Sequence, residues 1–437
     1  MSGPATARHA RNKAHMAPVR EQLYAAIDVG TTKVATLVAR VGASGAIEVV
    51  AVGRASSEGM KKGMVADADA LTQSVRASVR YAEEMLGHPI PSAFVGITGA
   101  FLVSENVTAR MSDGGQQPVS ERDVDRLIED TVAEYGARRP VLHVIPRMYQ
   151  VGGVRNVRNP LGLNGAGLAT QAHVVYGAPE PIALLNKVMA DAGVKVRGFI
   201  IEQLASAEAV LTADEREIGA VLVDIGGGTS DLAVYKEGTL AHSAVIPVAG
   251  TQFTTDLVIG LGITPAAAEA TKLHFGSCDT MGVSEKESVN VDTGMAGHTR
   301  PVSCFHINKL LRDRAIELTR LVLFKLREGG FDRVPASGIV LTGGSANLRG
   351  LAEVMREYAH CRVRVGTPLA AFGLPDELRE SAFSTGVGLL AWGIQRRHAG
   401  AVAPAITVSE PVSSKLRGWL ASRFHWKRSE KSLSALA

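Results

Sequence analysis

Residues 221–232 read VLVDIGGGTSDL, and no other stretch limits the possible folds of this chain so tightly. An aliphatic run at 220–223 ends in Asp224; Gly226, Gly227 and Gly228 follow, then Thr229, Ser230 and Asp231. Residues 232–235 are again apolar and alternating, Glu237-Gly238 is a turn signal, and 240–248 reads as a further strand. The glycines therefore join two strands in a hairpin. That sets aside the P-loop and the dinucleotide fingerprint, which both need a helix directly after their glycines. A glycine hairpin can still cradle phosphate, because residues without Cβ let backbone N–H groups converge on an anion. On the glycines alone a ligand-free tight turn stays open. Asp224, Thr229 and Asp231 beside them suit a metal–phosphate site.

The same pattern occurs earlier. Residues 23–28 (LYAAID) form a strand ending in Asp28, Gly30-Thr31-Thr32-Lys33 makes a polar turn, and 34–41 is a second strand. The interval from Asp28 to Asp224 equals that from Gly30 to Gly226. Two such units point to an internally duplicated pair of lobes with a nucleotide between them.

At 437 residues the chain is too long for one simple core. No apolar run approaches the ~18 residues needed to span a bilayer. No secretory apolar segment follows Met1 either. Cys278, Cys304 and Cys361 fit neither a disulfide framework nor a zinc site, which implies a reducing compartment. The formal charge of +4 belongs to the ends. Arg8, Arg11, Lys13 and Arg20 face no acid within residues 1–20. Six cations stand against Glu430 alone within 413–437. The body between is net acidic, which argues against nucleic acid as a partner.

Residues 1–20 read as a disordered basic arm, with a transit peptide as the rival. Helix 69–86, stopped by Gly87, lies among strands 47–53, 91–98 and 194–201, an α/β pattern with a mixed sheet. Residues 99–177 look like a small α+β insertion. It has a helix over 120–136, capped by Ser120 and Asp123, and strands at 101–109, 141–149 and 170–175. His143 and His173 lack further ligands at metal spacing and read as buried histidines. Glu202 ends a strand where a carboxylate can face a cleft as a base, with a plain surface charge as the alternative. After the central hairpin, helices 250–261 and 265–275 follow, the second bearing Glu269 and Lys272, ordinarily a solvated ion pair. Residues 59–65 read as a loop, and 275–301 as irregular apart from strand 288–291. Helix 306–328 is long and charged. Gly343-Gly344 stand between strand 338–342 and a helix expected over 346–358, whose N-terminus could meet a ligand, with a close helix–strand crossing as the alternative. Helix 384–393 carries glycines on a packing face, as a crossover between halves would.

Residues 398–412 read as a linker. Beyond it Leu416, Trp419, Leu420, Phe424 and Trp426 share one half of a helical wheel, with Lys415, Arg417 and Arg428 flanking. Arg423 and Lys427 intrude on that face. Aromatics and cations together suit an in-plane membrane helix, and docking back on the body is the alternative.

The motifs IDVGTTK (27–33), VDIGGGTSDL (223–232) and IVLTGGSANL (339–348) resemble the phosphate-1, phosphate-2 and adenosine motifs of the actin, sugar-kinase and chaperone ATPase superfamily. Within it SSEGMKKGMV (56–65), NPLGLNG (159–165), VIPVAGTQFTTDL (245–257) and the amphipathic tail resemble the FtsA family of bacterial division proteins. The resemblance implies an actin-like two-lobed fold binding ATP and Mg²⁺. Lobe 1 would comprise 21–98, 178–205 and 380–397, with the FtsA-type insert at 99–177. Lobe 2 would comprise 206–250 and 335–379, with a small FtsZ-binding subdomain at 251–334. The membrane helix would span 413–428.

It also implies roles. Gly30, Thr31, Thr32 and Lys33 would hold phosphates from one lobe, and Gly226, Gly227, Gly228 and Thr229 from the other. Asp28 and Asp224 would hold Mg²⁺ mostly through water. Glu269 and Lys272 would contact the ribose or base, and Gly343, Gly344 and Ser345 the adenosine. Glu202 would be the catalytic carboxylate of at most a weak ATPase. Arg312, Arg314 and Glu317 lie in the lobe that receives the acidic FtsZ C-terminal peptide. The implied role is a self-polymerising scaffold on the cytoplasmic face of the inner membrane at the division site. It would tether FtsZ, bind anionic lipid and recruit later division proteins. A small-molecule kinase and a pilus-assembly ATPase of the same superfamily are the competing readings.

Overall fold

Strand β1 (Gln22–Val29) is hydrogen-bonded on both sides, antiparallel to β2 (Lys33–Val41) and parallel to β6 (Ser92–Ile97). The computed structural model describes residues 22–42, 47–111, 117–137, 139–294, 298–369 and 373–398. The arm 1–20, the tail helix 413–428 and all of the linker except His398 lie outside the described residues.

After β2 come β3 (Ile47–Ser56), the two-residue strands β4 (Met60–Lys61) and β5 (Met64–Val65), and helix α1 (Ala68–Leu86). The side chain of Asp67 caps the first turn of α1, and Gly87 ends it in the left-handed conformation. Residues 59–65 are thus a small hairpin where a loop is expected. Lys62 and Gly63 both have positive φ, which lets a two-residue turn close strands too short to register as a hydrophobic pattern.

The insert contains β7 (Leu102–Arg110), α2 (Glu121–Gly136), β8 (Val141–Val151), β9 (Val154–Val157) and β10 (Leu168–Gly177), with strand order β7-β10-β8-β9. The Ser120–Asp123 capping box forms as expected. One face of this sheet packs on Val124, Leu127 and Ile128 of α2. From the other face Leu142, Ile145 and Val175 join the core of the first lobe.

The first lobe is completed by α3 (Pro179–Asp191), β11 (Lys195–Ile201) and α4 (Glu202–Val210), and α5 (Ala213–Ile218) leads into the second lobe. There follow β12 (Ala220–Ile225), β13 (Ser230–Lys236), β14 (Thr239–Ile246), α6 (Gly250–Leu261) and α7 (Pro265–Phe275). Next come the hairpin β15 (Ser288–Asp292) and β16 (Thr299–Ser303), then α8 (Cys304–Glu328). The described residues end with β17 (Ile339–Thr342), α9 (Leu351–Ala359), β18 (Val363–Val365) and α10 (Ser384–His398).

The duplication is visible in the sheets. One runs β3-β2-β1-β6-β11 and the other β14-β13-β12-β17-β18. In each, three antiparallel meander strands continue into two parallel ones. Alternation along β12 shows why they face each other. Val221, Val223 and Ile225 pack under the helices of the second lobe, while Ala220 and Leu222 belong to the core shared with the first. Asp224 takes the inward parity. Helices α4 and α10 cross between the lobes, and a Cβ on Gly388 would stand 1.8 Å from the Ala205 carbonyl oxygen.

The helix expected over 346–358 is broken. A 3-10 turn over Gly344–Asn347 follows Gly343, and α9 starts only after Gly350, whose φ is +78°. A Cβ on Gly350 would meet the Asp279 backbone nitrogen at 2.7 Å, so this close crossing dictates the break.

The two histidines are core residues. The Nε2 of His143 accepts from the Ile201 N–H at 3.2 Å. His173, 1% exposed, lies 2.9 Å from both Asn106 Oδ1 and Ser243 Oγ, and burial pushes its pKa down to about 3.

Candidate functional site

The turns β1–β2 and β12–β13 are one device built twice. In each, the glycine N–H donates to the carbonyl three residues on: Gly30 to Lys33 at 3.0 Å, Gly226 to Thr229 at 2.9 Å. In each, a buried aspartate stands two positions before that glycine. The tips touch. A Cβ on Gly227 would lie 2.6 Å from Thr32 Cγ2, and one on Gly228 2.5 Å from Thr31 Oγ1, so only bare backbone allows the approach. The β4–β5 turn closes the third side, with Lys62 Cα 3.1 Å from that same Gly228 position.

The back of the second loop is held firmly. The Gly226 carbonyl accepts from the Gly250 N–H at 3.1 Å and from Ser345 Oγ at 2.8 Å. The Gly227 carbonyl accepts from the N–H and the hydroxyl of Thr251, at 2.8 and 2.7 Å. Glu269 and Lys272 brace the same corner. Lys272 Nζ donates to the Gly250 carbonyl at 3.2 Å, to Thr254 Oγ1 at 2.9 Å and to Glu269 Oε2 at 2.7 Å. The lysine end of this pair is buried, with the Lys272 side chain only 11% exposed, while Glu269 is 44% exposed.

Four carboxylates converge on the cleft. Asp224 Oδ2 accepts from Ser206 Oγ of α4 and, at 2.9 Å, from Thr385 Oγ1 of α10. Asp231 Oδ1 accepts from Thr98 Oγ1, and Oδ2 from Thr229 Oγ1 at 3.0 Å. Asp28 stands at the end of β1, and Glu202 is the first residue of α4, half-buried beside Gly96. Burial is the leading cause that raises all four pKa values, with mutual repulsion adding to it at Asp28, Asp231 and Glu202. Asp28 rises to about 6 and Asp231 to about 7, and Glu202 is raised well above its usual value. Lys33 is the cation that counters this charge at Asp28 and Asp224, and its own pKa is lowered by burial. Its ammonium donates to the Ala382 carbonyl and lies 3.7 Å from the Phe383 ring centroid.

A pH dependence follows. The folded protein holds the Asp231 proton more tightly than the unfolded chain does. The resulting stabilisation is complete below the usual 3.8 and is lost as pH rises through about 7. Asp231→Asn, ligand-free and in chelator, should match the wild type in melting temperature near pH 4 and exceed it progressively toward pH 8. A constant difference across that range would contradict the titration.

The donor set suits a hard divalent ion and phosphate. Carboxylate oxygens and glycine N–H groups are the right chemistry, and a cation would relieve the repulsion. Among the described residues no three Asp, Glu, His or Cys side chains are grouped closely enough to hold a metal directly. The fit is to an ion held through water and phosphate.

The structure thus gathers Asp28, residues 30–33, Glu202, Asp224, residues 226–229, Glu269, Lys272, Gly343 and Ser345 around one cleft. Gly343 lies against Asp224, where a Cβ would come within 2.3 Å of Oδ1, and Gly344 follows in the adjoining turn. Thr98, Ser206 and Thr385 were missed, having no local signal, and Asp231 was read only as one of the polar groups suited to a metal–phosphate site. Arg312, Arg314 and Glu317 lie elsewhere, on α8, and both guanidinium groups already have acids. Arg314 bridges Asp256 of α6 at 2.6 and 2.7 Å and also pairs with Glu317, and Arg312 meets Glu357 of α9 at 2.6 Å. Both arginines of α8 singled out from the sequence are thus paired with acids of this chain. The membrane residues 416, 419, 420, 424 and 426 lie outside the described residues.

Two duplicated lobes meeting at paired hairpins define an actin-like fold. A solved chain of a PilM-PilN type IV pilus biogenesis complex shares it, with a TM-score of 0.61 at 17% identity, covering 86% of this chain and 99% of that one. Residues 221–388 match the family model of cell division protein FtsA, and residues 99–176 that of the SHS2 domain inserted in FtsA. The cell division protein FtsA of Pseudomonas aeruginosa is 36% identical over 406 residues, spanning 91% of this chain and 97% of that protein. That of Escherichia coli K12 is 34% identical over 418 residues, spanning 94% and 98%. The chain belongs to the FtsA family of cell division proteins.

Proposed function

We propose that this chain binds ATP with Mg²⁺ between its lobes and serves as a membrane-attached, self-polymerising scaffold that tethers FtsZ filaments at the division septum. The observation that carries the nucleotide reading is the tip-to-tip meeting of the two glycine hairpins, each with a buried aspartate behind it. Residues 30–33 and 226–229 would hold the phosphates, Asp28 and Asp224 the hydrated ion, and residues 343–345 the adenosine end. When bound, Mg²⁺ supplies charge neutralisation to the phosphates. Lys33 would swing from the Ala382 carbonyl toward them. Burial and repulsion from Asp28, Asp231 and Asp224 raise the Glu202 pKa and so disfavour the charged form that a base needs, in keeping with at most weak turnover.

The FtsZ C-terminal peptide would bind the small subdomain 251–334 of lobe 2. Arg312 is the better candidate contact there, because its partner Glu357 is exposed and can yield to a competing acid. Later division proteins would be recruited to the assembled polymer. Attachment to anionic lipid on the cytoplasmic face of the inner membrane rests on the tail, whose cations offset an impure apolar face. Co-sedimentation with vesicles containing anionic lipid tests this. The full-length chain should pellet and a version ending at Pro411 should stay in solution. Equal binding by both would remove the main support for the scaffold.

A further inference from the structure

We propose that Thr98 is a positioning residue that transmits the state of the phosphate site to the insert, by tying Asp231 to the root of the insert's first strand. The inference rests on the nucleotide reading above.

Thr98 is the residue between β6 and the start of the insert, and its hydroxyl donates to Asp231 Oδ1 in the opposite lobe. Asp231 is 2% exposed, and its other oxygen holds Thr229 of the glycine loop. One hydroxyl thus joins the phosphate loop of lobe 2 to the entrance of the insert.

A second seam lies farther along. The strand that leaves Thr98 is β7, and it meets β14 again. Ser104 Oγ donates to the Ser243 carbonyl at 2.8 Å, and Asn106 Nδ2 to the Ala241 carbonyl at 3.0 Å. His173 of β10 completes the seam. Held neutral by burial, it donates from Nδ1 to Asn106 Oδ1 and accepts at Nε2 from the Ser243 hydroxyl. Strand β14 is the ladder partner of β13, with Ser243 opposite Ala233, two residues from Asp231. Insert and ribbon are therefore fastened at both ends, at Thr98–Asp231 and at Ser104/Asn106–β14. Although inserted in lobe 1 by sequence, the insert is bonded to the strands that carry the phosphate loop. A ligand that draws Asp231 toward itself must either pull β7 with it or break the Thr98 bond.

The test uses the full-length chain and hydrogen–deuterium exchange of residues 102–110, with and without saturating Mg-ATP, saturation being set for each variant by titration. Wild type should show a nucleotide-dependent change there. Thr98→Val, equal in shape but without the donor, should lose it, and Thr98→Ser should regain it. A Thr98→Val protein that binds Mg-ATP and keeps the change overturns the proposal, as does a wild type that binds without any response in 102–110. A wild type that fails to bind Mg-ATP at all overturns the nucleotide reading first and this inference with it. Should Thr98→Val not fold, Thr98→Ala removes the same donor with a smaller side chain. The change should again be lost, and its persistence overturns the proposal.

Discussion

Asp224→Ala should remove measurable Mg-ATP binding, a loss of about 100-fold or more, at the upper end of what outer-shell ligands contribute to metal affinity. Asp224 is buried at the meeting of three elements, with hydroxyls from α4 and α10 fixing one oxygen while the other looks onto Gly343. That carboxylate is therefore oriented before any ligand arrives. Its raised pKa shows that the folded chain gains little from its charge, so removing it should spare the ligand-free protein. Ser206 and Thr385 remain 3.0 Å apart and can satisfy one another. Titration with a fluorescent ATP analogue, beside a thermal melt, separates the two effects. Asp224→Asn keeps an acceptor but loses the charge, so it should be nearly as defective. Undiminished affinity in either variant would refute the placement of Asp224.

Gly388→Ala should destabilise the chain by about 3 kcal/mol, the upper part of the usual cost of overpacking. The new Cβ would stand 1.8 Å from the carbonyl oxygen and 2.4 Å from the carbonyl carbon of Ala205, both backbone atoms that no rotamer change can move aside. Helices α4 and α10 must then separate. Because α4 carries Glu202 and Ser206 while α10 carries Thr385, the same displacement loosens the support of Asp224, and nucleotide affinity should fall along with stability. Urea denaturation reads the first effect, and a change below about 1 kcal/mol would show that the crossing can relax.

Much of the site was legible because its parts are local. A strand ending in aspartate followed by a glycine turn is written in consecutive residues, and its repetition at a constant interval exposes the duplication. Glu237-Gly238 foretells a turn for the same reason, and the structure gives both residues positive φ, at 54° and 73°. The 346–358 helix failed because its break depends on Gly350 lying against residue 279, a contact between distant segments. The Met60–Lys61 and Met64–Val65 hairpin was missed because two-residue strands leave no period to count. The charges of α8 are plain in the sequence, but their partners Asp256 and Glu357 come from other helices and are brought to them only by folding.

The residues in order were enough to establish the two lobes, the paired phosphate-type turns and the inserted α+β segment. Each rests on short-range backbone preference and on alternating burial. Which groups hold the carboxylates was settled only by folding. Thr98, Ser206 and Thr385 reach Asp231 and Asp224 from elements far along the chain, and their hydroxyls acquire meaning only once burial leaves those acids short of partners. The bonding of the insert to lobe 2 belongs there too, because it pairs β7 with a strand more than one hundred residues away, about which the neighbours of β7 in sequence carry no information.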